Sequence, residues 1–313
     1  MGITQVVERV KTLLKESVSP SSRSIYARAW RLFNDCISIF NSHINIKPAL
    51  PFSHNIILFF VGFLSLKGFA STTIVTYVSA IGYVHRMKGL SDPTSSPIVQ
   101  KALSAVSKLN PSSESRLPIT LIILHQLIQA IPIAISDFYH RTLIKAMFIV
   151  AFFGLMRVGE ITSDSINQSC IQLNQLKMFH DRAIITISRF KHNISLKPME
   201  IVLTQQTDHD ICPVLALRQF ENIRGNRPGP LFIFADGCPV PRQFFISRLK
   251  FCLNLVGLDH KSYKSHSFRI GGASLYASLG LSDTQIRLLG RWKSDAFKSY
   301  IRCQRIHTAL NDK

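Results

Sequence analysis

The chain has 313 residues, 46% of them hydrophobic and 10% aromatic, which suits about two domains with sizeable cores and excludes a disordered protein. Its 37 Lys and Arg outnumber 18 Asp and Glu, a net charge of +19 that points to a polyanionic partner, most simply nucleic acid. The excess is not confined to a tail: residues 1–110 hold 12 basic and 4 acidic side chains, residues 111–313 hold 25 and 14, so both halves are expected to face the same polyanion.

The opening residues read as an amphipathic helix over 3–16, with Val6, Val7, Val10, Leu13 and Leu14 at helical spacing. Glu8, Arg9, Lys11, Lys15 and Glu16 leave no apolar secretory segment there, and Val6 stands where a myristoylation signal requires Ser or Thr. A second helix opens at Pro20 and places Tyr26, Trp30, Phe33 and Ile37 on one face. A third follows Pro51 with Ser53 as N-cap and stops at Gly68; a fourth covers 71–88; a fifth runs from Pro97 to about Lys108. Residues 109–118, with two prolines, three serines and no apolar period, read as a flexible linker. The expected organisation is therefore a helical domain over 1–108 whose scattered basic residues could lie on a phosphate backbone, the linker, and a second domain over 119–313.

In that second domain a helix starts after Thr120, and a buried helix over 141–156 runs into Met156-Arg157-Val158-Gly159-Glu160. The period then changes: 171–178, 183–188 and 199–203 predict short strands joined by polar turns. Helices return at 213–224 and 241–256 and dominate from Ser267 onward. The longest apolar runs, 56–66 and 146–156, fall short of the roughly 18–20 residues that span a bilayer, so no membrane partner is expected. The six cysteines (36, 170, 212, 238, 252, 303) form no C-x-x-C pair, which predicts reduced thiols inside a cell.

Four short stretches carry chemically useful groups. Arg157 and Glu160, three apart, can pair on a helix, or simply form a helix-end salt bridge. Lys191 lies in the turn after the strand at 183–188, where an ordinary solvated lysine is equally at home; Lys197 sits in the same loop. His266 and Arg269 are three apart at a helix start, followed by Gly271 and Gly272, whose size permits close approach of backbone or phosphate. Gly290-Arg291-Trp292 precedes a last helix carrying Tyr300, and each aromatic alone would pass for a core residue. Asp208-His209-Asp210 is the nearest approach to a metal-ligand cluster and reads as a polar turn, so neither a metal nor any other cofactor is expected.

In order and spacing these stretches together resemble the signature of the tyrosine recombinase (phage-integrase) family: Arg-x-x-Glu, a β-turn lysine, His-x-x-Arg, a His or Trp, and a tyrosine nucleophile. The matching residues are Arg157 with Glu160, Lys191, His266 with Arg269, Trp292 and Tyr300. The run from Ser265 to Arg302 matches almost continuously, and its Gly-Arg-Trp, with Cys212-Pro213-Val214, looks most like recombinases of eukaryotic mobile elements of the DIRS and Crypton kind. Trp292 and Tyr300 are eight apart, where nine is usual in bacterial relatives. The resemblance covers 117–313, while 1–108 matches only by position and helical character.

The resemblance implies a mainly α protein: an N-terminal helical core-binding (SAM-like) domain, then a C-terminal α+β catalytic domain with a small antiparallel sheet, the DNA breaking-rejoining fold. It implies that Tyr300 attacks the scissile phosphorus to give a 3′-phosphotyrosyl link and a free 5′-hydroxyl. Arg157 and Arg269 would clamp the phosphate, His266 would handle the tyrosine proton and Lys191 that of the leaving oxygen. Trp292 would bond a phosphate oxygen through its indole N–H, and Glu160 would orient the site. A tyrosine hydroxyl, with a free pKa of about 10, needs such help. The partner would be double-stranded DNA, bound by a homotetramer on two sites, with residues 301–313 docking on a neighbour and a nuclear location if the source is eukaryotic. Two other readings stay open: a type IB topoisomerase with similar chemistry, and a domesticated, non-catalytic DNA-binding protein, for which 267–290 could be a helix-turn-helix around Gly280.

Overall fold

The computed structural model describes residues 2–44, 49–110, 116–163, 170–188 and 197–301. The chain divides into two compact units, Met1–Glu114 and Ser115–Lys313. Among the described residues no helix is long and apolar enough to cross a membrane.

The first unit is helical: α1 (Ile3–Glu16), α2 (Pro20–Ile44), α3 (His54–Leu66), α4 (Ser71–Met87) and α5 (Pro97–Leu109). Its core is aromatic. Phe33 meets Phe52 and Phe60 edge-on, each at 5.0 Å between ring centres, a geometry that aligns ring edges with π faces. His85 is buried beside them and fully used: Nδ1 bonds the Ile81 carbonyl at 2.9 Å, and Nε2 accepts the Phe52 N–H at 3.1 Å.

The second unit holds α6 (Leu121–Ala134), α7 (Phe138–Phe153), α8 (Val158–Ile161), strands β1 (Leu176–Met178), β2 (Arg182–Ile187) and β3 (Met199–Thr204), then α9 (Pro213–Arg224), α10 (Arg242–Leu255), α11 (Ser267–Ser278) and α12 (Asp283–Leu289). A 3-10 turn, Asp295–Tyr300, follows. Mostly helical with one small sheet, this is the expected fold class. The sheet is antiparallel in the order β1-β2-β3, and Ala183, Ile185 and Ile187 of β2 alternate inward. Phe148 of α7 joins Phe245 of α10 (5.3 Å) and Phe268 of α11 (5.1 Å), so three helices meet on one buried ring.

Two sequence expectations change. Within the strand predicted over 171–178, Leu173–Gln175 form a 3-10 turn, where the Gln175 side chain accepts the Gln172 N–H, and only Leu176–Met178 pairs with β2. Of the segment read as a linker, 109–118, residues 111–115 lie outside the described residues. Leu109 closes α5, while Leu117 and Ile119 donate backbone N–H bonds to the Ser262 and Ser267 carbonyls. The buried helix ends at Phe153 rather than 156, since Leu155 takes a left-handed backbone (φ 47°) and turns the chain.

Candidate active site

The turn after α7 places Arg157. It is the N-cap of the four-residue α8 and not part of the long helix, so it meets Glu160 through capping geometry rather than along a helix face. One carboxylate oxygen of Glu160 accepts the Arg157 backbone N–H at 2.9 Å, and the other accepts Arg157 Nη1 at 3.0 Å. Glu160 is 5% exposed and takes a third charge-assisted bond, from Arg291 Nη2 at 2.8 Å. Burial by itself would push the Glu160 carboxyl up. Arg291, the Arg157 N–H and the charges of Arg157 and Arg269 outweigh it and hold the carboxyl below its ordinary range.

Gly271 and Gly272 place Arg269. A Cβ on Gly271 would lie 1.7 Å from the Ile119 carbonyl oxygen, and one on Gly272 2.4 Å from that of Phe152. The pair therefore serves backbone-to-backbone packing of α11 against residue 119 and the end of α7; it makes no opening for phosphate. Residues 267–274 of α11 are buried throughout, which makes α11 a core helix rather than an exposed arm of a helix-turn-helix. Arg269, wholly buried, donates through Nη1 to the Leu155 carbonyl and through Nη2 to the Gly290 carbonyl. The Trp292 ring centre lies 4.0 Å from its guanidinium carbon, a cation–π contact. Trp292 folds back so tightly that a Cβ on Gly290 would be 1.6 Å from its ring.

His266 stands just ahead of α11, partly buried. Burial, then the positive charges of Arg269, Arg116 and Arg157, pull its pKa down to about 4. The imidazole is therefore neutral near pH 7 and able to accept a proton.

The structure thus brings Arg157, Glu160, His266, Arg269 and Trp292 into one cluster. The 3-10 turn ending at Tyr300 is anchored beside it, because Phe297 packs with Leu155, Ala273 and Ile286. The Tyr300 side chain lies outside the described residues, as do Lys191 and residues 302–313; Lys197 is exposed, two residues ahead of β3. Two participants escaped the sequence reading. Arg116, inside the predicted linker, left no signal. Arg291 did leave one, since the nine-residue spacing to Tyr300 starts from Arg291 and not from Trp292.

Next to His266 in sequence, a groove of about 420 Å³ combines the cationic Arg242, Lys250, Lys261 and Lys264 with an apolar wall that includes Ile246, Leu249 and Tyr263. Asp208 and Asp210 meet His125 of α6, at 3.6 and 3.7 Å, rather than acting with His209; the Asp210 N–H closes a turn on Asp208 Oδ1. Arg157 and Arg269 supply permanent positive charge in the cluster, so an anionic phosphorus centre can be stabilised there by guanidinium groups.

Comparison with solved structures decides the fold. Lambda integrase aligns as a dimer bound to a COC' core site (TM-score 0.64, 15% identity, 100% of this chain and 99% of that one) and as a tetramer bound to a Holliday junction (0.61, 13%, 95% and 79%). XerH site-specific recombinase, in a post-cleavage complex with a palindromic difH substrate, aligns at TM-score 0.65 and 15% identity over 89% of this chain and 75% of that one. The fold is that of the tyrosine recombinases. The Tn1549 transposon integrase, in complex with transposon right-end DNA, shares it at TM-score 0.58 and 14% identity, covering 90% and 94%. No family model and no curated protein sequence matches the chain.

Proposed function

We propose that this protein is a site-specific DNA recombinase or integrase that breaks and rejoins duplex DNA through a 3′-phosphotyrosyl intermediate. The observation that carries the reading is the convergence of Arg157, Glu160, His266, Arg269 and Trp292 beside the segment that ends in Tyr300, within a tyrosine recombinase fold.

The Tyr300 oxygen attacks the scissile phosphorus, forming the Tyr–O–P bond as the P–O bond to the 5′ carbon breaks. His266, neutral, takes the phenolic proton, and Lys191 or Lys197 gives one to the leaving 5′-oxygen. Arg157, whose side chain is 23% exposed, meets the phosphate from the open side. Arg269 supplies its charge from beneath Trp292 and contacts phosphate directly by exchanging one carbonyl for a phosphate oxygen. Attack by another strand's 5′-hydroxyl reverses each step, and because the phosphoester energy stays in the covalent link, joining requires no ATP.

The cationic side chains of the groove at Arg242, Lys250, Lys261 and Lys264 and the +19 net charge support duplex DNA as partner, with affinity falling steeply as salt rises. A homotetramer on two DNA sites is proposed from the lambda tetramer's likeness. The Gly-Arg-Trp and Cys-Pro-Val segments support placement among eukaryotic DIRS- and Crypton-type elements, hence a nuclear location.

The test is a nicked duplex from the protein's own genomic flanks, incubated with protein and run on a denaturing gel. A covalent protein–DNA band that disappears in Tyr300→Phe, with DNA binding kept, is the expected result. An undiminished band in that variant overturns the assignment of the nucleophile, and no band from a pooled library of sites overturns the enzymatic reading.

A further inference from the structure

Arg291 is the largest investment in the cluster that the phosphoryl chemistry leaves unused. Its side chain has no exposure, and both of its terminal nitrogens are committed to acceptors within the protein, one of them the Glu160 carboxylate. Its backbone is left-handed (φ 57°), a conformation that glycine adopts freely and a branched-off side chain resists. Gly290 stands one residue earlier, yet the arginine occupies the strained position.

The hydrogen bonds show what the side chain does there. Nη1 donates to the Gly154 carbonyl (3.3 Å) and the Leu289 carbonyl (3.1 Å); Nη2 donates to the Leu155 carbonyl (3.0 Å) and to Glu160 Oε2 (2.8 Å). Glu160 in turn holds Arg157 through its backbone N–H and Nη1. One buried guanidinium thus joins the turn that aims Arg157, the carboxylate that orients it, and the end of α12, from which the chain leads to Trp292 and Tyr300.

Resting on the recombinase reading, we propose that Arg291 is a positioning residue for DNA cleavage: through Glu160 it fixes the guanidinium of Arg157, and through the carbonyls of Gly154, Leu155 and Leu289 it locks the nucleophile-bearing segment to the Arg157 turn. Lysine at this position keeps the charge but has no planar fork, so it cannot span these acceptors. The groups facing Glu160 are Arg157 from its own turn, Arg291 from the far segment and Arg269 from α11. Removing Arg291 takes away the foremost of these charges, and burial then drives the carboxyl upward.

The test compares the wild type with Arg291→Lys, Arg291→Met, Glu160→Gln and the Arg291→Lys/Glu160→Gln double variant on the same nicked substrate at saturating DNA. Arg291→Gly, suited to the left-handed backbone, stands in if the lysine variant is unstable. Arg291→Lys is expected to keep its DNA half-saturation point while covalent adduct forms roughly 10²-fold more slowly, the scale of an ångström-sized misplacement. Glu160→Gln should lose a similar factor and the double variant little more, since both act through one path. In Arg291→Met the acid limb of the rate profile should move to higher pH, and Glu160→Gln should abolish that movement. A wild-type rate in Arg291→Lys, or full additivity in the double variant, overturns the proposal. Absence of adduct from the wild type instead counts against the recombinase reading. The positioning claim is then decided by side-chain NMR: loss of the slow-rotating Arg157 guanidinium signal in Arg291→Lys upholds it, and an unchanged signal overturns it.

Discussion

Two regions of the second unit bury arginine, and they do so for different ends. Arg224, 4% exposed at the end of α9, gives its hydrogen bonds to the carbonyls of Gly225, Arg227, Pro230 and Leu231. Each of those partners lies within seven residues, so the side chain acts as a local clasp on one loop. Arg291 reaches 131 to 137 residues back along the chain to Glu160, Leu155 and Gly154, and Arg269 reaches 114 residues to Leu155. A local clasp satisfies its own desolvated charge with carbonyl dipoles. A long-range tie with a carboxylate at its centre fixes the relative placement of distant segments, which an active site needs.

The sharpest way to break this contrast is at Arg157, the half-buried member of the tied arginines. Arg157→Ala is expected to slow adduct formation by about 10³-fold, as loss of a charge-stabilising donor does, with the melting temperature scarcely changed. Wild-type cleavage in that variant would remove the cluster's catalytic meaning. Arg224→Met should do the opposite. It leaves four carbonyls, that of Leu231 buried, without their donor and destabilises the fold by about 3 kcal/mol in urea unfolding, while the folded fraction cleaves at the wild-type rate. Gly271→Ala forces α11 off the Ile119 carbonyl and should destabilise by about 2 kcal/mol while also slowing cleavage, because Arg269 rides on that helix; a thermally neutral variant would refute the packing argument.

The smallest effect is one of pH. The folded His266 titrates near 4, below its ordinary 6.5, so between those values the unfolded chain binds a proton that the folded one refuses. Stability attributable to His266 is therefore complete above pH 6.5 and falls as pH drops toward 4. His266→Gln should flatten that part of the stability profile, whereas a histidine-dependent decline centred on pH 6.5 in the cleavage rate would show that the imidazole is not depressed.

Local signals made much of this protein legible. Proline and glycine punctuation marked the helices of the first unit to within a residue or two, and the helix start after Thr120 was legible; there the Thr120 hydroxyl accepts the Ile123 N–H. The alternation in 183–188 and 199–203 gave the two longer strands, since period two is a property of the backbone itself. The pair Arg157 and Glu160 was visible, but its geometry was not. A left-handed Leu155 leaves no compositional trace, so a turn looked like the end of a helix. Arg116 was hidden for a related reason: in a segment rich in serine and proline, nothing local shows that residues 117 and 119 are hydrogen-bonded across the start of α11.

The sequence by itself determined the elements, the basic surface and the chemical alphabet of the site, because these depend on spacing and residue type over a few turns of chain. Only the tertiary structure decided that Gly271 and Gly272 serve helix packing rather than phosphate approach, that Arg269 lies beneath Trp292, and that Arg291 and Glu160 are partners. Those outcomes turn on contacts between residues from about twenty to more than a hundred positions apart, where burial makes each unpaired charge costly and so selects the arrangement that pairs them.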